Sequence, residues 1–285
     1  MRIVLAIAFT VMLTLPPAVH AQPAAAYTVK PDVVYGHKDG LALTMDVFEP
    51  KENRKGVGLL FMVSGGWVSA WSAPEKAVAM FQPLLQSGYT VIAVRHGSSP
   101  RYIIPEIAVD VRSALKYVAE HANELKVDPR RLGVFGYSAG GHLSLLLGTR
   151  PDADKPNGHQ KTIPHVAAVV AVFPPTDLAP FVDPASPLRE RFPALKFDPS
   201  RSKDYSPLMQ VSSDDPPTLL VHGDRDELVP IWHSEKIVAA FEEAKVPAEL
   251  VVITGAAHGF NAEGNKKMVE SMVAWFDKYL VEPKE

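Results

Sequence analysis

The segment Leu132-Gly133-Val134-Phe135-Gly136-Tyr137-Ser138-Ala139-Gly140-Gly141-His142 decides the fold. An apolar run opens it, and a second apolar run, Leu143 to Gly148, follows it. This order indicates a buried strand, a sharp corner and a helix. Glycines stand two positions either side of Ser138, so a strained serine backbone meets no bulky neighbour there.

A serine at such a strand-to-helix corner forms a nucleophile elbow. The corner lifts the Ser138 hydroxyl above the edge of the sheet. It also leaves the amide of Ala139 at a helix N-terminus, where it can meet a developing negative charge. The sequence therefore predicts Ser138 as a nucleophile and Ala139 as an oxyanion-hole donor; the alternative is a serine that merely fits a turn.

Strands and helices alternate along the rest of the chain. A hairpin with an Asp39-Gly40 turn comes first, joining 33–35 to 41–48. Continuous apolar runs predict buried strands at 57–63, 90–94, 132–135, 166–172, 217–223 and 248–253, and helices are predicted at 77–86, 106–125, 234–244 and 266–280. We expect an α/β fold with a mostly parallel central sheet of about eight strands and helices on both faces.

The chain divides into a leader and one domain. Residues 1–21 combine Arg2, a short apolar stretch, two prolines and a Val19-x-Ala21 pair, which is typical of a secretory signal peptide. A membrane anchor is the alternative, but the apolar stretch is shorter than the ~20 residues that span a bilayer. We expect a secreted or periplasmic protein without stable membrane insertion after cleavage, a disordered lead-in at 22–30, and a single domain at 31–285.

Within that domain, residues 173–217 are rich in proline and charge and long for a connection. Such an insertion is either a lid or a passive surface excursion. A short helix is expected within it, around 187–192. Its role, like the oligomeric state, is not evident from the residues.

Composition excludes several classes of function. The 285 residues carry a formal net charge of −3, which gives no electrostatic footprint for nucleic acid. The absence of cysteine excludes a disulfide framework, a thiolate nucleophile and a cysteine metal site. The pair Asp224-x-Asp226 lacks the further oxygen ligands of a calcium loop. We expect neither a metal nor a cofactor.

Candidate partners for Ser138 follow later strands. Asp226 and His258 both lie in loops after predicted strands, where sites in α/β folds are built, and Asp224 competes with Asp226. Gly65 and Gly66 follow the strand at 57–63 and are candidate oxyanion donors, with an ordinary tight turn as the alternative. The candidate substrate-pocket side chains are Trp67, Tyr137 and His96, with simple packing, the commoner role of such residues, as the alternative.

The motifs around Ser138, Asp226 and His258 together resemble α/β-hydrolases, in the esterase/lipase branch related to feruloyl and acetyl-xylan esterases. The resemblance covers roughly residues 30–280. It implies a serine hydrolase that cleaves short-chain, acetyl or feruloyl-type esters, either small molecules or polysaccharide-linked, through an acyl-enzyme on Ser138. The family pattern Asp-x-x-Val-Pro selects Asp226 over Asp224.

Two departures from that resemblance affect expectations. Val63-Ser64-Gly65-Gly66-Trp67 stands where many relatives have His-Gly-Gly-Gly-Trp, and Arg95-His96-Gly97 stands where many have Asp-Tyr-Arg. The first concerns the oxyanion loop and hence acyl preference. A serine peptidase resembling prolyl oligopeptidase and acting on small peptides is the alternative, and a non-catalytic binding protein on the same scaffold is a third reading.

Overall fold

The structure, a computed structural model, describes residues 26–149 and 165–281. The described residues form one eight-stranded sheet, in the order β1-β2-β4-β3-β5-β6-β7-β8. The strands are β1 Tyr27–Lys38, β2 Leu41–Pro50, β3 Gly58–Met62, β4 Thr90–Val94, β5 Leu132–Tyr137, β6 Ala168–Val172, β7 Thr218–Gly223 and β8 Ala248–Ile253. The helices are α1 Pro74–Gln86, α2 Ile104–Glu120, α3 Ala122–Leu125, α4 Ala139–Thr149, α5 Ala179–Val182, α6 Pro187–Arg191, α7 Trp232–Glu243 and α8 Ala262–Phe276.

The sheet is mostly parallel, as expected. β1 pairs with β2, and β2 with β4, in antiparallel fashion. All the remaining pairs, from β4 through β3 to β8, are parallel. The carboxyl ends of these parallel strands therefore meet at one edge, which is where an α/β fold builds its site.

Helices cover both faces of the sheet, which confirms the prediction. Apolar side chains of α2, α4 and α7 pack in one buried cluster, and those of α1 and α8 pack in the other. Successive strand residues point to opposite faces, so Leu60 and Met62 of β3 enter the first cluster while Leu59 and Phe61 enter the second. A strand apolar at every position is what this double coverage requires.

The amino-terminal strand is longer than expected. β1 begins at Tyr27, so residues 27–30 are not a disordered lead-in: Tyr27 pairs with Pro50 and Val29 with Phe48. Tyr27 and Val29, which lie on the same face of the strand, also pack against the cluster of α1 and α8, and these contacts stabilise the added residues. The predicted signal peptide at 1–21 and the start of the predicted lead-in fall within residues 1–25, which lie outside the described residues. Among the described residues, none of the helices has the length and apolar character to cross a bilayer.

The insertion at 173–217 contributes to the core. It holds α5, α6 and three short 3-10 turns, with α6 where the short helix was expected. Four of its side chains are completely buried in the cluster of α2, α4 and α7: Leu178, Val182, Ala194 and Leu195. The segment is thus a packed wall of the domain rather than a passive surface excursion.

A buried ion pair ties β4 to the antiparallel edge of the sheet. Both terminal nitrogens of Arg95 donate to the Asp46 carboxylate, at 2.6 and 3.0 Å. Arg95 also donates to Asp32 at 2.7 Å, and its carbonyl accepts a hydrogen bond from the Tyr35 hydroxyl at 2.6 Å. Arg95 thus anchors β1 and β2 beside the loop that follows β4.

Candidate active site

The corner between β5 and α4 has the strained geometry that the sequence indicates. Ser138 lies at φ 52°, in the left-handed region that L-residues other than asparagine and aspartate seldom adopt. A Cβ on Gly136 would come within 2.4 Å of the Gly140 carbonyl carbon, and one on Gly140 within 2.6 Å of the Met62 carbonyl oxygen. Only glycine fits these two positions, so the spacing around Ser138 is a steric requirement.

Three predicted residues meet at the carboxyl edge of the sheet. The Ser138 hydroxyl lies 2.9 Å from Nε2 of His258. Nδ1 of His258 lies 2.6 Å from Oδ2 of Asp226. Because a carboxylate only accepts, Nδ1 carries the hydrogen and Nε2 is left to accept from the serine. Asp226 and His258 come together because β7 and β8 are parallel neighbours.

The Asp226 carboxylate is held ionised. Its side chain is fully buried, and Oδ1 accepts from the amides of Leu228 and Val229 at 3.0 and 2.9 Å. Burial would raise the pKa of Asp226, but hydrogen bonds from His222, His258 and the Val229 amide outweigh it and hold that pKa below its ordinary value. A permanent negative charge therefore faces the His258 ring.

The competing carboxylate is used elsewhere. Asp224 is exposed, and its Oδ1 accepts from the Gly255 amide at 2.6 Å. It thereby stabilises the start of the loop that carries His258. The geometry places Asp226, not Asp224, against His258.

The oxyanion segment, residues 64–69, departs in part from the prediction. The Gly65 amide donates to the Val68 carbonyl at 3.0 Å, so it is not free to bind an oxyanion. This bond closes a tight turn, with Gly66 at φ 56°. Among the described residues, the amides of Gly66 and of Ala139, the first residue of α4, have no hydrogen-bond acceptor. Of the three predicted donors, Gly66 and Ala139 are therefore available and Gly65 is not.

A narrow apolar cavity with a volume of about 20 Å³ adjoins Ser138. It is lined by Gly66, Trp67, Ser138, Pro175, Phe181, Leu188, Phe192, Leu195, Leu228 and Val229. Half of these residues belong to the insertion at 173–217. No sequence motif marks these residues, because an apolar wall without periodicity leaves none.

Of the three predicted pocket residues, the cavity contains Trp67 alone. Tyr137 is wrong as a pocket residue: it precedes the corner on β5, so strand alternation turns its ring into the cluster of α1 and α8, beside Phe61 and Phe173. His96 is wrong as well, because its buried ring is bonded to Ser64 and to the Gly97 carbonyl, not directed at the cavity.

His142, the last residue of the opening motif, links the cavity to the insertion. Its Nδ1 accepts from the Trp67 indole nitrogen at 3.2 Å, and its Nε2 donates to the Tyr205 carbonyl at 2.8 Å. Burial lowers the pKa of His142 to about 4, so the ring is neutral and can play both parts. The wall of the cavity is thereby fixed to the helix that follows Ser138.

No group of three or more potential metal-ligating side chains occurs at residues 26–149 or 165–281. The site consists of a serine, an imidazole, a carboxylate and two free amides. These are the components of nucleophilic acyl transfer.

Comparison with known proteins agrees with this geometry. The BD-FAE family model matches residues 45–241. The chain belongs to the BD-FAE family. Among curated proteins it is similar to a probable carboxylic ester hydrolase, LipM, of Mycobacterium tuberculosis, with 28% identity over 88% of this chain and 60% of that protein. It is also similar to ethyl acetate hydrolase of Pseudomonas putida, with 27% identity over 80% of this chain and 74% of that protein.

Among solved structures, a truncated carbohydrate esterase from gut microbiota superimposes with a TM-score of 0.74 and 26% identity, covering 91% of this chain and 99% of that one. The chain spans 60% to 65% of the length of three mycobacterial relatives that it matches. The comparisons confirm the predicted α/β-hydrolase fold.

Proposed function

We propose that this protein is a serine hydrolase that cleaves carboxylic esters with short acyl groups through an acyl-enzyme on Ser138. The observation that carries the proposal is the continuous hydrogen-bond chain from Ser138 through His258 to Asp226, with distances of 2.9 and 2.6 Å. The free amides of Gly66 and Ala139 on the same side of the sheet supply the remaining element of an acyl-transfer site.

Each group has a defined part in the reaction. The Ser138 oxygen attacks the ester carbonyl while Nε2 of His258 takes its proton, and the carbonyl oxygen becomes an oxyanion beside the two amides. Asp226 stabilises the imidazolium that forms. The intermediate collapses, and His258 returns the proton to the departing alcohol. Water then attacks the acyl-enzyme while His258 accepts its proton, and His258 returns that proton to the Ser138 oxygen as the acid leaves.

The cavity fits the acyl side of the substrate. It includes Ser138 and Gly66, but His258 does not line it. The alcohol must leave beside Nε2 of His258, because that nitrogen protonates it. The acyl group is thus directed into the cavity, whose small free volume favours acetyl over a feruloyl group. The similarity to a carbohydrate esterase is consistent with a sugar-borne acetyl ester.

Secretion is also part of the proposal. Its support is the composition of residues 1–21, whose short apolar stretch ends in prolines and small residues. Export to a periplasm or the medium would place the enzyme with polysaccharide-linked esters that do not enter cells.

The experiment compares the wild type with Ser138→Ala on p-nitrophenyl acetate, p-nitrophenyl butyrate, methyl ferulate and acetylated xylan. We expect hydrolysis of the acetyl esters, weak or no hydrolysis of methyl ferulate, and a loss of up to about a million-fold in kcat for Ser138→Ala. A fluorophosphonate probe should label the wild type and not the variant. Equal activity of the two proteins would refute the assignment, and cleavage of small peptides without ester hydrolysis would establish the peptidase alternative.

A further inference from the structure

A second loop forms hydrogen bonds to both ends of the oxyanion segment. This clamp loop, residues 96–99, follows β4 and makes four hydrogen bonds to residues 64–69. His96 bonds Ser64 through its ring, at 2.9 Å, and Ser69 through its amide, at 3.2 Å. The Ser69 amide donates to the Ser98 hydroxyl at 3.0 Å, and the Ser99 amide donates to the Trp67 carbonyl at 3.1 Å.

The partners of the His96 ring define its hydrogen. Nδ1 lies 2.9 Å from the Gly97 carbonyl, which can only accept, so Nδ1 carries the hydrogen. Nε2 is therefore an acceptor and receives the Ser64 hydroxyl hydrogen. His96 is 5% exposed, and burial lowers its pKa to about 4. A neutral, buried acceptor thus faces the first residue of the oxyanion segment.

The geometry points to His96 as a positioning residue of the oxyanion hole, acting through Ser64 and Ser69 on the amide of Gly66. This inference rests on the proposed function, because it assigns a part in the reaction to that amide. Fixing both ends of a six-residue segment holds the Gly66 amide in one direction before the substrate arrives, which is what makes an oxyanion donor effective.

Ser64 and His96 each belong to one of the two motifs in which the sequence departs from the family it resembles, Ser64 to the glycine-rich motif and His96 to the loop after β4. The structure brings both departures into contact through a single hydrogen bond. A serine in place of the first glycine supplies a hydroxyl, and a histidine in the loop supplies its acceptor. The two changes are therefore complementary.

The test uses Ser64→Ala, His96→Phe, their double variant and His96→Gln, whose amide oxygen can replace the Nε2 acceptor. His121→Phe is the matched control, since His121 is bonded to the Tyr117 carbonyl at the end of α2. With p-nitrophenyl acetate we expect kcat to fall roughly 10- to 100-fold in Ser64→Ala and His96→Phe, with KM within about twofold of wild type. The affinity for a trifluoromethyl ketone, which forms a tetrahedral adduct with serine, should weaken by a similar factor.

Rescue and additivity separate positioning from general damage. His96→Gln should recover most of kcat. The double variant should be no slower than either single variant, because Ser64→Ala and His96→Phe remove the same hydrogen bond. Unchanged kcat in both single variants, or His96→Gln as slow as His96→Phe, would overturn the inference. If His96→Phe does not fold, Ser64→Ala decides alone, with its melting temperature as the check.

Failure of the inference about His96 can be distinguished from failure of the proposed function. A wild-type protein without ester hydrolysis would refute the proposed function, and the rate of Ser138 labelling by a fluorophosphonate would still report on the clamp loop. A wild type that hydrolyses esters, with variants equally fast, would refute the clamp alone.

Discussion

Replacing Gly66 by alanine should impair both stability and catalysis, for reasons that can be worked out separately. At φ 56° the left-handed backbone costs an L-residue roughly 1–2 kcal/mol. The new Cβ would also lie 2.8 Å from Cδ1 of Phe192, about 0.7 Å short of comfortable carbon–carbon packing. The ring or the Gly66 amide must move, and because a 1 Å misplacement of a catalytic group costs about 100-fold, kcat should fall by up to about that factor.

The controls isolate each contribution. A Cβ on Gly65 meets nothing within 4 Å, so Gly65→Ala should keep kcat within about twofold of wild type. Adding Phe192→Ala to Gly66→Ala should relieve the contact and recover part of kcat, while the backbone cost persists; Phe192→Ala alone provides the reference. Urea unfolding and p-nitrophenyl acetate kinetics are measured on each variant. Equal losses of kcat in Gly65→Ala and Gly66→Ala would refute the assignment of the Gly66 amide as the donor.

Three further predictions concern ionisable groups. Asp226→Asn should keep the fold and lose about 10,000-fold in kcat, whereas Asp224→Asn should keep most activity; comparable losses in steady-state kinetics would contradict the triad. Arg95→Met should cost about 3 kcal/mol in urea unfolding because it leaves the Asp46 carboxylate buried without its ion pair, and a neutral result would contradict that pairing. Burial lowers the pKa of His142 to about 4. Stability should therefore fall as the pH drops from 6.5 towards 4, because in that range the unfolded chain binds the proton and the folded chain does not. His142→Gln should flatten this part of the pH–stability curve, and an unchanged slope would contradict the assignment to His142.

The parts of the fold that could be predicted from sequence are those with a local cause. The alternation of buried runs with amphipathic helices follows from a parallel sheet covered on both faces, and it identified seven of the eight strands within a few residues. The predicted β1 is too short, because Tyr27 and Val29 pack against the cluster of α1 and α8, which is distant in sequence. The elbow at Ser138 was predictable because glycine spacing is a steric requirement at that corner.

The parts that escaped prediction depend on which face a side chain occupies and on which amide is already bonded. Two adjacent glycines look equivalent in sequence, but the turn uses the Gly65 amide and leaves Gly66 free. Tyr137 adjoins the nucleophile in sequence and yet faces the opposite side of the sheet. The apolar wall formed by Phe181, Leu188 and Phe192 comes from a proline-rich insertion whose packing partners lie on other elements.

The burial of that insertion has a consequence for how substrate reaches Ser138. A hinged cover could swing aside only by exposing Leu178, Val182 and Leu195 to water, and each fully buried aliphatic side chain costs roughly 1.5–3 kcal/mol to expose. The cavity beside Ser138 is therefore a permanent feature of the folded domain. The rate of ester hydrolysis should follow simple saturation with dissolved monomeric esters, without a jump when the ester forms droplets or micelles. The shape of the cavity, and not interfacial activation, would then select the acyl chain length.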